Sequence, residues 1–435
     1  MIRRFAFFAL IFASFLGAAL QAQQVVVDNC PYTHHATSLS CLVPDLTKTG
    51  NSSNLSAFNT TLGEVVGQLP LAVPVSGFVL GFDKSGIPIE INQNLGSVLT
   101  ERGNTVGLHK LFVGFTFQRF VFQSVDGTKL NNLPTVFQSG AIYGTSHNSL
   151  GANVNQYTVI AAFGVTSRID VSATLPFERV SMSASHGLVS EYDQAGNPGA
   201  TPTCPGTSTL SLALCPQSVA GSAKGIGDLL LNIKGTAING ERSKFAAGLE
   251  ARFPTGDPYN LLGSGAYGVK PYVVFSRSSG RLTPHINVGY QWNGFSVLRI
   301  NPCYFASTNA CTGGSSIPTL RLPDDLEYSA GADIGIVKKL SAVADLIGER
   351  YFNAPRVIAP GPASQVHIPN LPTVLGTAQT VSVSDSNYNE TNVGLGLKVN
   401  PFGRLIISAN ALIRLDNNGL RPARFVPLVG LSYRF

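Results

Sequence analysis

The chain has 435 residues, a formal net charge of +6 and only 12 % charged residues, about half the charged fraction of a typical soluble domain. That length suits one large barrel or two ordinary domains. Past the N-terminus no apolar run approaches the about 18 residues that a spanning helix needs, which excludes a helical membrane protein. The mild charge comes without a basic cluster, which excludes a nucleic-acid partner.

The first element is an export signal. Arg3 and Arg4 precede an apolar stretch from Phe5 to Leu20, and small residues follow, with cleavage expected after Ala22 or, as the alternative, Ala19. Residues 1–22 therefore read as a signal peptide outside the fold. Removing Arg3 and Arg4 leaves 28 basic against 24 acidic residues, 28 − 24 = +4. The six cysteines form three close pairs in sequence: Cys30 with Cys41, Cys204 with Cys215, and Cys303 with Cys311. Six cysteines allow fifteen connectivities, and close spacing favours the three local ones. Each bridge would close a loop of roughly ten residues and contribute about 2–3 kcal/mol, in an oxidising compartment. Metal ligation would need tighter His or Cys spacing, so no metal and no cofactor is expected.

Residues 23–108 are rich in Pro, Asn and Ser and contain one candidate hairpin, Gly77–Asp83 with Ile87–Asn92. They read equally as a periplasmic extension, a plug folded into a lumen, or two additional strands. From residue 109 onward the sequence alternates. Strands are expected at 109–124, 154–165, 168–184, 226–238, 242–254, 265–277, 281–294, 325–337, 339–352, 388–399, 403–415 and 423–435. Between Lys244 and Phe253, Lys244, Ala246, Gly248, Glu250 and Arg252 share one face, and Phe245, Ala247, Leu249, Ala251 and Phe253 the other. This period of two marks a half-apolar strand. The same pattern recurs over Thr283–Trp292, Glu327–Ile336, Asn392–Val399 and Arg404–Arg414, where Ile406 and Leu412 interrupt the polar face.

A soluble sandwich also alternates, but three features favour a membrane barrel. Phe245 and Phe253 bracket an outer face that spans roughly 19 Å along the membrane normal at ~3.3 Å per residue and ~45° tilt, near the ~25 Å apolar band of such barrels. Connections alternate strictly between short turns (Thr166–Ser167, Asn239–Glu241, Ser278–Gly280, Lys338, Asn400–Phe402) and longer loops, the rhythm of outer-membrane barrels. The C-terminus alternates Val429, Leu431, Tyr433 and Phe435 and ends on an aromatic residue, as in the terminal signal read by outer-membrane assembly machinery. The expected fold is all-β, an antiparallel transmembrane barrel of about 12 strands (12–14) over residues 109–435.

Several segments resemble the MetA-pathway of phenol degradation family of outer-membrane proteins. They are Glu101-Arg102 with Thr105-Val106-Gly107, Gly225-Ile226-Gly227-Asp228, Phe253-Pro254-Thr255-Gly256-Asp257, Leu261 to Gly265, Lys270-Pro271-Tyr272, Pro284 to Tyr290, and Lys398-Val399-Asn400-Pro401 with the terminal strand. The resemblance runs from about Gly96 to Phe435. It implies uptake of aromatic or other hydrophobic small molecules and brings no catalytic or binding residues with it.

Parity assigns to the lumen Asp228, Lys234, Glu250, Arg252, Lys270, His285, Asn287, Gln291, Glu327, Asp333, Asp345, Lys398, Arg404 and Arg414, with Arg168, Asp170, Glu178 and Glu349. Both signs lie on neighbouring strands, as either an ion-pair network or a constriction requires. Twelve strands lie between packed eight-stranded and open sixteen-stranded barrels, so both readings stay open. Pro254-Thr255-Gly256-Asp257 lacks the Lys and following helix of a phosphate loop and reads as a rim turn. The expected function is a bacterial outer-membrane channel or transporter, not an enzyme, through which small molecules pass passively or bind. The expected protein is a monomer whose partners are lipid, the assembly machinery and a small solute. Two rival readings are an adhesive barrel acting through its long loops and a hydrolase with Ser and His at the rim, for which His285 with Asn287 has only Thr283, a poor nucleophile, on its strand face, and Ser149 near His147 sits in an expected loop that nothing fixes.

Overall fold

A computed structural model describes residues 38–41, 65, 69, 81–82, 88–89, 95, 99–139, 142–186, 190–192, 217–300, 319–337, 339–358, 382–402 and 404–435. The expected signal peptide and every cysteine but Cys41 lie outside them, and with them the three expected bridges.

Twelve antiparallel strands close into one barrel. They are β1 (Leu111–Val125), β2 (Ile142–Gly164), β3 (Ile169–His186), β4 in two runs (Gln217–Ile226 and Leu229–Asn239), β5 (Ser243–Phe253), β6 (Gly268–Arg277), β7 (Leu282–Asn293), β8 (Asp324–Val337), β9 (Leu340–Ile358), β10 (Ser382–Val399), β11 (Leu405–Arg414) and β12 (Phe425–Arg434). Each strand pairs with its sequence neighbour, and β12 returns to β1 in register, with Leu431 opposite Phe115 and Tyr433 opposite Val113. A closed ring leaves no unpaired edge, which hydrocarbon would not tolerate. The short turns, the start of β1 and the C-terminus share one end, the periplasmic one by the usual build of such barrels.

The alternation has the expected sense. On β5, Ala246 and Arg252 are buried inward while Leu249 is 45 % exposed. Ile286, Leu397, Val429 and Leu431 are likewise exposed on the outer face. Aromatic pairs mark both margins of this belt. Phe253 meets Tyr267, and Tyr290 meets Trp292 and Phe352, near the loop end. Tyr433 packs on Phe435 near the turn end. Amphipathic rings settle where apolar and wet surroundings meet.

The inward apolar exceptions have packing partners. Ile406 joins Leu95, Val106, Phe112, Ile160 and Ala162 in a cluster at the periplasmic end. Leu412 joins a larger cluster with Phe120, Phe122, Val154, Val180 and Leu261 in the outer half. Gly81–Phe82 pairs with Pro88–Ile89 within the expected hairpin, but that ladder stands apart from the barrel sheet.

A charge on the lipid face is costly where a polar change in the lumen is not. Leu249→Arg, near the middle of β5, is expected to lower the unfolding free energy in liposomes by about 2–4 kcal/mol. Ser172→Asn on the lumen face should change it by less than about 1 kcal/mol. Urea titration of both variants checks the sidedness.

Candidate functional site

The site is the barrel interior, and the chain before β1 helps to build it. Leu95 and residues 99–106 cross the lumen as a strap tied to many strands. Leu95 donates its N–H to Ser341 Oγ (2.9 Å) and accepts from Lys398 Nζ at its carbonyl (3.2 Å). Glu101 accepts from Lys234 Nζ at 2.5 Å. Arg102 Nε donates to Asp333 Oδ2 at 2.8 Å, and its Nη2 also reaches that oxygen. Arg102 and Asp333 are fully buried. Thr236 Oγ1 donates to Gly103 O (2.7 Å), and Val106 N donates to Asp170 Oδ2 (2.7 Å). The chain leaves the lumen at Gly107, whose carbonyl lies where a Cβ on Gly164 would stand, 1.9 Å away, so only glycine fits at Gly164.

His285 belongs to this lock. Its Nε2 lies 2.8 Å from Asp345 Oδ1 and 2.7 Å from Thr100 Oγ1, and its Nδ1 3.5 Å from Asp333. A nucleophilic relay presents the hydroxyl to one ring nitrogen and the orienting carboxylate to the other. Here the hydroxyl and the nearer carboxylate share Nε2. Asn287 is turned to Ser329 (3.0 Å) instead. Thr283 is buried beside the periplasmic turn, with its Oγ1 3.4 Å from Ser278 Oγ.

At the opposite end the loop between β5 and β6 folds inward. Asp257 caps a short 3-10 turn, Pro258–Asn260, by accepting from Tyr259 N, the standard role of an N-cap carboxylate. Leu261 and Leu262 are then buried in the lumen mouth. Asp228, in the break of β4, holds this loop. Its carboxylate accepts from Ser264 N (2.8 Å), Ser264 Oγ (2.5 Å) and Gly256 N (3.2 Å). Thr255 Oγ1 donates to Gly227 O (2.7 Å). The Pro254-Thr255-Gly256-Asp257 segment is thus a rim turn locked onto β4. Residues 38–41 reach the same mouth, where Leu39 N donates to Asn260 Oδ1 (3.3 Å).

Between strap and loop lies a cavity of about 210 Å³, with Leu99, Thr100 and Glu101 of the strap and Leu262 and Gly263 of the loop in its wall. Lys270 stands in it between two carboxylates, 2.9 Å from Glu250 Oε1 and 2.9 Å from Glu327 Oε1. Arg252 faces Asn293 Oδ1 (2.5 Å), with Asp228 3.9 Å away. Tyr272 lies flat across Gly248, where a Cβ would fall 2.3 Å from its ring, and donates to Asn232 Oδ1 (3.0 Å).

The structure divides the parity-assigned residues into three groups. Asp228, Glu250, Arg252, Lys270, Asn287, Gln291 and Glu327 line the cavity, with Glu178 and Glu349. Lys234, His285, Asp333, Asp345 and Lys398 hold the strap, with Asp170. Arg414 sits at the outer end of β11, where it donates to Ser124 Oγ (3.0 Å). Arg404 joins none of these groups. It is exposed in the turn before Leu405, where strand parity no longer applies, and Arg168 is exposed in the turn before β3 in the same way. Parity also passed over Tyr272 and Asp325 in the cavity and Thr100, Glu101 and Arg102 in the strap. Asp325 lies within the expected strand 325–337 on the face of Glu327, so the same parity marks it for the interior.

A family model described as "Putative MetA-pathway of phenol degradation" matches residues 149–301, from the outer half of β2 through β7; this is the family read from the motifs, over a shorter stretch than the expected 96–435. No curated protein matches the chain. Among solved structures, an outer-membrane channel from Pseudomonas putida F1 aligns at 13 % identity and TM-score 0.43, covering 77 % of this chain and 99 % of that one. The translocator domain of the autotransporter NalP from Neisseria meningitidis aligns at 14 % identity and TM-score 0.32, covering 76 % and 89 %. The P. putida toluene transporter TodX aligns at 10 % identity and TM-score 0.32, covering 75 % and 89 %. With its closed sheet and lipid-facing belt, the chain is a bacterial outer-membrane β-barrel.

The strap hangs on a buried pair, and breaking such a pair costs about 3–5 kcal/mol because the remaining charge is uncompensated. In Arg102→Ala the amides of Gly103 and Val106 should therefore exchange with solvent about a hundredfold faster. Hydrogen-exchange mass spectrometry on the reconstituted protein reads this directly, and unchanged protection would mean that the strap is held elsewhere.

Proposed function

We propose that the protein is a passive channel for small solutes whose lumen is closed on the periplasmic side by the strap of Leu95 and residues 99–106 and on the outer side by the loop at 254–267. One observation carries this reading. Both closures are held by hydrogen bonds and ion pairs from polar side chains, and a cavity of about 210 Å³ lies between them. A barrel that served only as a scaffold would gain more from an apolar filling, since buried ion pairs are weak stabilisers compared with packed hydrocarbon. Polar contacts can instead exchange with water or solute as the path opens.

The cavity wall also bears on the class of solute. Leu99, Leu230 and Leu262 offer apolar contact, but most of the remaining side chains are polar or charged. A purely hydrophobic molecule would leave those groups without solvent, at a cost of roughly 1–3 kcal/mol for each polar group. The wall suits an amphipathic solute, one with a short apolar body and polar ends. The aromatic molecules implied by the family description fit this only when they carry such groups.

Liposome swelling tests the reading. The unaltered protein should admit small solutes slowly. Arg102→Ala combined with Lys234→Met removes two of the strap's side-chain anchors and should raise the swelling rate by about tenfold. Equal rates in the two proteins would show that the strap does not limit passage. No swelling in either would overturn the channel reading.

A further inference from the structure

The cavity has an excess of hydrogen-bond acceptors. Glu101 is paired with Lys234. Apart from it, the carboxylates in the wall are Glu178, Asp228, Glu250, Asp325, Glu327 and Glu349, and the cations are Arg252 and Lys270. Both cations are already engaged. The Lys270 ammonium has three donors and meets Glu250 Oε1 at 2.9 Å and the two Glu327 oxygens at 2.9 and 3.0 Å. Arg252 turns to Asn293 Oδ1 and the Ala266 carbonyl.

What remains is all of one kind. Gln156 Oε1, Glu178 Oε2, Asn287 Oδ1 and Asp325 Oδ2 are buried atoms with no hydrogen-bond partner among the described residues, and all four residues line this cavity. Gln156, Glu178 and Asp325 are only 2 %, 5 % and 3 % exposed. Each of these oxygens can accept a hydrogen bond, so what they lack is donors. Leaving buried acceptors unmatched is costly, and a ligand rich in N–H donors removes that cost. Their placement narrows the ligand further. Gln156 and Glu178 sit on β2 and β3, while Asn287 and Asp325 sit on β7 and β8, five strands further round the ring of twelve and so on nearly the opposite wall. Leu99, Leu230 and Leu262 lie in the wall of the same cavity. Among the described residues no group of three His, Cys, Asp or Glu is set to hold a metal ion.

We infer that the cavity is a binding site for a small linear diammonium compound. One amine is held by Gln156 and Glu178, which face each other across β2 and β3, the other by Asp325, and the alkyl stem lies against the leucines. This rests on reading the cavity as the solute site of a channel, and it names the class of solute.

The test is isothermal titration calorimetry on the purified full-length protein in detergent at neutral pH, with hexanediamine, hexylamine and hexanediol as probes. The diamine should bind about tenfold or more tightly than the monoamine, and the diol should not bind. Asp325→Asn and Glu178→Gln, on opposite walls, should each bring the diamine down towards the affinity of the monoamine, while the heat-modifiable gel migration of the folded barrel is unchanged. A diol that binds as well as the diamine, a diamine that does not bind, or full affinity in both variants overturns the proposal. Solute flux without diamine binding overturns it too and leaves the channel reading standing. Diamine binding with no flux supports it and removes the channel reading.

Discussion

Inside hydrocarbon a backbone N–H or C=O has no water to turn to, and each unpaired group costs several kcal/mol. That constraint shapes the whole molecule. It requires Leu431 and Tyr433 of the last strand to find Phe115 and Val113 of the first, and the closed sheet that results has an inside as well as an outside. The outside is settled by lipid: leucine, isoleucine, valine and aromatic side chains at every second position. The inside is wider than that of an eight-stranded barrel, which side chains alone can fill. The chain fills it with segments from both ends of the lumen, the strap at the periplasmic end and the β5–β6 loop at the mouth.

How these segments are held determines what the interior can do. Apolar clusters around Ile406 and around Leu261 and Leu262 fix their positions. Their polar contacts run instead to charged groups on the wall: Arg102 to Asp333, Glu101 to Lys234, and the loop backbone to Asp228. In a low-dielectric interior such contacts are strong when complete and costly when broken. The lumen is therefore rigid as built, yet it is held by bonds that water or a polar solute can replace. The cavity between the two closures keeps several acceptors unmatched, which gives a solute something to complete.

Much of the wall was legible in the sequence because strand parity is a local property. Lys244 to Phe253 states its two faces within ten residues, and the same rule puts Glu250, Arg252 and Lys270 on the face that lines the cavity. Even its breaches were informative, since Ile406 and Leu412 point inward as parity requires and are apolar because a strap and a loop pack on them. Parity fails where a strand ends, which is why Arg404 does not join the lumen. It is also silent on the strap. Thr100, Glu101 and Arg102 find His285, Lys234 and Asp333 more than 130 positions away, and no local pattern encodes a contact of that range. The only trace was the Glu101-Arg102 motif of the family resemblance, which marks the segment without saying where it folds.

The central claim is that the unaltered protein is a barrel closed at both ends around an acidic cavity. Single-channel recording of the full chain in planar bilayers, across a gradient of potassium chloride, tests this most directly. The account predicts a channel that is shut for most of the record, with brief small steps whose reversal potential favours cations. Large steady steps without ion preference, as from an open twelve-stranded pore, would contradict it.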